Sequence, residues 1–328
     1  CGMENRMQKA VFEKKLIRVE NEGKSVSRFM RLAFRIQAAL YQLKYTFVHV
    51  KPQEKKYRVA VGAIFKNEAP YLREWIEFNH VAGVEHFYLY NNNSEDHYES
   101  VLRPYIDNGL VTLVQWPHNQ AQMQCYHDIM EKYASETKWL GFIDIDEFIV
   151  PKSTDNIYDF LRPFETSRGA VKLNWRMYGT SGLEQRDLEG LVVEDFTVCW
   201  PKYYDVGKCF YNTAFGFDKT SRRNASLHHN FWASLNGKDY PPVNVFDHVC
   251  TGTYNKLDSE DLPVQLNHYF TKSHHEYVMK RSKGDVFFKV NPHDEEYFYF
   301  HEMLCTDTDY SAYKYLIKLK QAMKRNGE

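Results

Sequence analysis

A chain of 328 residues that is 43% hydrophobic and 16% aromatic holds enough apolar side chain for one large domain with appendages, which excludes general disorder. The net charge of -1 hides an asymmetry. Residues 1–58 carry 14 Lys/Arg against 5 Asp/Glu and the remainder 28 against 38, so a basic arm precedes an acidic body.

Six scattered cysteines form no Cys-x-x-Cys pair, which speaks against a zinc ribbon or a dithiol redox motif. No stretch reaches the roughly 18 uncharged apolar residues of a membrane span. The opening residues lack the apolar core of a signal peptide. The expected location is therefore cytoplasmic, at the inner face of the membrane if the arm binds lipid.

In chain order, Leu32, Ile36, Ala39, Leu40 and Leu43 recur at helical spacing, with Arg28, Arg31 and Arg35 on another face. This basic amphipathic helix either lies on a membrane surface or packs on the body. A charged connector, residues 51–56, leads into alternating elements. Strands are expected at 58–65, 86–91, 110–116, 139–144 and 170–175. Helices are expected at 71–82, 97–107, 121–135 and near 310–325. Asn67 is the expected cap of the first of these helices, with Pro70 in its first turn and Gly83 at its end. Strands alternating with helices predict a mostly parallel sheet covered on both faces, with ligands beyond the carboxyl ends of the strands. Lys66, Asn67 and Glu68, then Asn91 to Ser94, then Asp144 to Glu147 fall at those ends. Neither a Gly-x-Gly-x-x-Gly nor a Walker loop is present, against a dinucleotide dehydrogenase or a P-loop NTPase. Residues 176–270 read as less regular and suit an acceptor-binding part.

The run Trp139-Leu-Gly-Phe-Ile-Asp-Ile-Asp-Glu-Phe148 ends an apolar strand in two carboxylates with one residue between them. If the strand persists, Asp144 and Asp146 point the same way and address one Mn²⁺ or Mg²⁺ ion, with Ile145 toward the core. Such an ion neutralises a diphosphate leaving group. Glu147 either joins the site or caps the turn. Trp139 and Trp175 are expected in the core. The pairs His228-His229 and His274-His275 lack a metal-binding helix frame and read as surface or acceptor-cleft residues.

The blocks Ala-Ile-Phe-Lys66-Asn67-Glu68-Ala-Pro70-Tyr-Leu-Arg-Glu74-Trp75, Gly83 through Ser94, Trp139 through Pro151, Met177-Tyr-Gly-Thr-Ser-Gly182 and Leu266-Asn-His268-Tyr269-Phe-Thr-Lys272-Ser273 together resemble glycosyltransferase family 92. The resemblance covers roughly residues 58–285 in the expected order. It implies an α/β fold of GT-A type, a UDP-sugar donor (usually UDP-galactose) and inversion at the anomeric carbon. It implies Asp144 and Asp146 as metal ligands with His268 as the third, Lys66, Asn67 and Glu68 along the nucleotide pocket, and Lys272 at the diphosphate. Asn91 and Asn93 join the nucleotide-sugar set, although the family usually has Asp where this chain has Asn91. The resulting division is a basic helical arm (1–56), a transferase domain with a nucleotide-sugar half (57–150) and an acceptor half (151–300), and a basic helix (301–328).

Inversion requires a base, for which Asp195 is selected among the carboxylates after the Tyr-Gly-Thr-Ser-Gly segment. The expected acceptor is a glycan or lipid-linked glycan, with peripheral membrane contact through the arm and no nucleic acid. Two other readings use the same residues: a non-catalytic glycan- or lipid-binding protein on a degenerate transferase fold, and a phosphatase with Asp144 as nucleophile and Asp146 as acid/base.

Overall fold

The computed structural model describes residues 26–119, 121–282 and 293–325. The first 25 residues of the expected arm and the last three of the C-terminal helix lie outside the described residues. Helix α1, Arg28–Tyr45, starts at Ser27, whose side chain accepts a hydrogen bond from Met30 N. One face of it packs on the body. Tyr45 donates to Pro241 O at 2.6 Å, and Gln42 bridges Asp247 O and Val249 N, each at 2.9 Å. The Phe34 ring lies where a side chain on Gly252 would have to go, and Gly252 has φ +52, the left-handed region that favours glycine. Among the described residues no helix is long and apolar enough to cross a membrane.

The alternating part follows as β1 (Tyr57–Phe65), α2 (Ala69–Val81), β2 (His86–Asn91), α3 (Tyr98–Asp107), β3 (Val111–Gln115), α4 (Gln122–Tyr133) and β4 (Thr137–Phe142). Each element expected in this part is present with ends shifted by no more than two residues. The strands pair in parallel in the order β3-β2-β1-β4. The last seven residues of β1 and all of β2 are buried, as strands covered on both faces must be. One local expectation fails. Glu68, not Asn67, sits at the cap of α2; Asn67 lies outside it in a left-handed conformation (φ +53). The first free amide of the helix, Ala69 N, donates instead to Asp96 at 2.8 Å.

Beyond β4 come β5 (Glu147–Pro151), α5 (Ile157–Leu161), β6 (Ala170–Met177), α6 (Val192–Asp195), β7 (Val198–Cys199) and β8 (Tyr204–Asn212). Then follow β9 (Gly216–Phe217), β10 (Ala233–Leu235), β11 (Lys238–Tyr240), β12 (Val243–Asn244), β13 (Val264–His268), α7 (His274–Ser282), α8 (Glu295–Leu304), β14 (Asp307–Thr308) and α9 (Leu316–Arg325). The central sheet runs β3-β2-β1-β4-β8-β6-β13-β5, with β12 on β6. β8 is antiparallel to both its neighbours and β5 is antiparallel to β13; the other pairings in the sheet are parallel. The architecture is thus the expected α/β one, a mostly parallel sheet flanked by helices. The sheet passes without a break from the 57–150 part into the 151–300 part, because β8 inserts beside β4. Trp139 is fully buried and Trp175 is buried, as expected. The described cysteines are free thiols.

Candidate active site

Strand β4 stops at Phe142, two residues before the acidic pair. Asp144 and Asp146 therefore sit in a turn, not in an extended strand. Glu147 N donates to Asp144 O at 3.0 Å, and Asp144 N donates to the Glu147 carboxyl at 3.0 Å, closing the turn from both sides. The indole N–H of Trp75 on α2 donates to Asp144 O at 2.9 Å and to Glu147 O at 2.8 Å. The turn, and not strand alternation, presents both carboxylates, while Ile145 is buried as expected. Of the two roles open to Glu147, turn closure is the one its contacts fulfil.

The register of the far half brings the third expected residue to this turn. β13 pairs antiparallel with β5, so His268 falls opposite Glu147, and Tyr269 N donates to Asp146 O at 2.9 Å. His268 Nε2 lies 3.5 Å from Asp146 Oδ1, with its ring 4.6 Å from that of Trp175. The pairing of β8 with β4 sets Phe210 opposite Gly141. Two residues back along that register, Lys208 reaches the turn: its Nζ lies 2.7 Å from Asp144 Oδ2 and 3.6 Å from Glu147 Oε2. Lys280 on α7 pairs with Asp146 at 2.5 Å.

These contacts set the protonation states. Burial drives the Asp146 carboxyl upward, but Lys280, His268 and Lys272 outweigh it and hold it well below the usual carboxylate range. Burial, with Asp144 and Asp146 adding to it, pushes Glu147 well above that range despite Lys208. Burial would lower the Lys208 ammonium, but Asp144 and Glu147 hold it above its ordinary value. His268 is lowered by burial, against the pull of Asp146.

Two carboxylates and a neutral imidazole form a donor set suited to Mn²⁺ or Mg²⁺. Two ligands of one such ion, each about 2.1 Å from it and at right angles, lie about 3 Å apart. The 3.5 Å between His268 and Asp146 is near that separation, and the Asp144 side chain is 37% exposed and open to an incoming ligand. His268 and Asp146 thus stand at a separation that one divalent cation could span, while Asp144 is turned to Lys208, and the three donor atoms are not gathered within 4.8 Å of one another.

Lys272 is buried, has φ +49, and holds its Nζ 4.1 Å from the centre of the Tyr71 ring. From Tyr71 a chain of contacts runs to Glu276 (2.8 Å), to Arg186 (3.1 Å) and on to Asp195 (3.0 Å). Asp195 is thus paired with Arg186 and joined to Lys272 only through this chain. At the nucleotide end, the Asn67 side-chain oxygen accepts from Glu95 N and its backbone N–H donates to Ser94 Oγ, lacing the ends of β1 and β2 together. Asn91 is buried; its oxygen accepts from Ser94 N at 2.9 Å and its amide donates to Gln115 at 2.7 Å. Lys66 and Asn93 are exposed on the same rim, and Glu68 is half-buried there.

The expectation for His228-His229 needs correction. His228 is buried, and His229 donates through Nδ1 to Gly207 O at 2.8 Å with its ring against Trp175. Burial lowers both well below the ordinary imidazole value. The residues that sequence reading missed are Lys208, Lys280 and the pinning role of Trp75. A lysine inside the apolar run Val206-Gly-Lys208-Cys-Phe210 was the one available signal, since such a charge requires a buried partner. Lys280 stands in an ordinary basic helix end and carried no signal.

A family model described as "Glycosyltransferase family 92" matches residues 55–280. The chain is 28% identical over 144 residues to a glycosyltransferase family 92 protein of Ricinus communis, an overlap of 43% of this chain and 26% of that protein. It is 31% identical over 118 residues to the Caenorhabditis elegans beta-1,4-galactosyltransferase galt-1, an overlap of 31% and 27%. The aligned part thus spans about a quarter of the length of these curated relatives. A solved structure of S. aureus TarS 1-349 in complex with UDP-GlcNAc aligns with a TM-score of 0.34 and 14% identity, over 57% of this chain and 58% of that one. The mostly parallel sheet, with its acidic turn beyond β4, agrees with the expected GT-A type of fold. On the match to its family model, which covers well over half of its residues, the chain belongs to glycosyltransferase family 92.

Proposed function

We propose that this protein transfers a sugar from a UDP-sugar donor to a hydroxyl of a glycan or lipid-linked glycan, with inversion at the anomeric carbon. The observation that carries this reading is the meeting of Asp144, Asp146 and His268 at one turn, flanked by Lys280 and with Lys272 near by, in a member of this family. Galactose as the transferred sugar rests on the name of the C. elegans relative.

A divalent cation, Mn²⁺ or Mg²⁺, held by Asp144, Asp146 and His268, would supply Lewis-acid neutralisation of the departing diphosphate. Lys280, paired with Asp146, would supply an ammonium beside the leaving group. Lys272, fixed against Tyr71, adds a second cation whose position needs no reorganisation during the reaction. Lys66, Asn67, Glu68, Asn91 and Asn93 line the nucleoside end. The acceptor enters from the 176–270 side and attacks the face opposite the diphosphate. Asp195 takes the acceptor proton, with Arg186 holding its Oδ2 in place.

Nucleotide release from a panel of UDP-, GDP- and dTDP-sugars, with and without Mn²⁺, tests the reading. Selective, Mn²⁺-dependent turnover of one UDP-sugar is expected. Absence of both donor binding and turnover across the panel would leave a non-catalytic glycan binder as the better account.

A further inference from the structure

Helix α1 has two apolar faces, and docking uses only one. Phe34, Ala38, Tyr41, Gln42 and Tyr45 face the body, where Tyr41 meets Trp232 and Tyr240 and Tyr45 meets Pro241. At 100° per residue, Phe29, Leu32, Ile36, Leu40 and Leu43 fall on the opposite side at steps of three and four residues, and Phe47 follows in the turn that ends the helix. All six are exposed, Phe29 at 80%, Leu43 at 62% and Phe47 at 84%. A helix that only had to pack on the body would carry polar side chains there. A contiguous exposed stripe of large apolar residues marks an interaction surface.

The charges beside the stripe say what kind. Arg28, Arg31 and Arg35 lie along one flank and Lys44 along the other, all exposed. No Asp or Glu occurs between residues 26 and 53. A second copy of this helix would bring like charges together on both flanks. A nucleic acid would use the arginines but has no place for six apolar side chains in a row. An anionic lipid surface accepts both features: the stripe enters the acyl boundary while the basic flanks meet the headgroups.

We propose that α1 is an interfacial membrane anchor, docking its Phe34–Tyr45 face on the body and its Phe29–Phe47 stripe on an anionic bilayer. This stands on α1 alone and does not depend on the transfer reading. It means that the body itself, through residues 241–252, is held at the lipid surface.

The test uses the full chain with vesicles of pure phosphatidylcholine and of phosphatidylcholine containing phosphatidylglycerol, read by flotation. At least roughly tenfold stronger binding to the anionic vesicles is expected, falling as salt is raised. Ile36→Glu with Leu43→Glu should lose that binding at least tenfold while the thermal midpoint stays unchanged, since neither side chain packs on the body. Arg31→Gln with Arg35→Gln should narrow the gap between the two vesicle types. Equal binding by wild type to both vesicles, or undiminished binding by the Glu variant, overturns the anchor. A wild-type dimer that the Glu variant converts to monomer assigns the stripe to a second copy instead.

Discussion

Lys208, with a side chain only 1% exposed, is the buried counter-charge of Asp144, 2.7 Å away, and stands 3.6 Å from Glu147. It arrives on β8, a strand from the far half of the chain, so this ion pair ties the two halves together at the acidic turn. Lys208→Met leaves the Glu147 carboxyl and one Asp144 oxygen without that partner. Removing one member of a buried pair costs about 3–5 kcal/mol; partial exposure of Asp144 places the expected loss near about 3 kcal/mol, read by urea unfolding. A loss under about 1 kcal/mol would mean that the pair does not hold the turn.

The donor set makes a separate prediction about binding. Asp146→Asn should weaken Mn²⁺ binding, measured by calorimetry, at least tenfold, and turnover by at least about a hundredfold. His268→Ala should act in the same direction. Unchanged Mn²⁺ affinity in both variants would remove the proposed ion site even if activity fell.

Lys280 pairs with the same carboxylate that the ion would take, and its side chain is 43% exposed. Lys280→Ala should therefore raise Mn²⁺ affinity modestly, roughly two- to tenfold, because a half-exposed pair is weak. The same variant should raise the KM for the donor. A fall in Mn²⁺ affinity would show that Lys280 does not compete with the ion.

Asp195 is tested by a split between steps. Asp195→Asn keeps an oxygen for Arg186 but cannot take a proton. Transfer should fall by about 10²–10⁴-fold with donor affinity unchanged. Full activity in this variant would return Asp195 to a purely structural pairing with Arg186.

His301 on α8 is fully buried and bonds through Nε2 to Tyr178 O at 3.0 Å. Burial lowers it from the ordinary imidazole value to about 4. Its folded value lies below its unfolded one, so its contribution to stability is present above about pH 6.5 and is lost as pH falls toward 4. The shift corresponds to about 3 kcal/mol, seen as a falling urea midpoint between pH 6.5 and pH 4. Its NMR resonance should stay that of neutral imidazole down to below pH 5; a midpoint near 6.5 would contradict its burial.

The alternating part of the fold was legible from local pattern. β1 through β4 and their helices are set by apolar runs, Pro70, Gly83 and Gly109, signals that each act within a few residues. The acidic pair was legible as a motif, but the strand geometry assigned to it was not what the chain adopts. The reversal at Asp144–Glu147 depends on the Trp75 indole from α2, which no neighbouring residue reveals. β8 was passed over because Gly207 and Lys208 interrupt its apolar run. That strand tolerates a lysine because Asp144 and Glu147 await it across the sheet.

Helix α1 shows the same division. Its periodicity and basic flank were plain in the residues, and two fates were open to it, with packing on the body ahead. Docking uses the Phe34–Tyr45 face and leaves the apolar stripe outside. Periodicity is a property of one segment and can be read from it. Which face is covered, and which charge neutralises which, are properties of contacts between segments 64 or more residues apart, and those exist only once the sheet has closed.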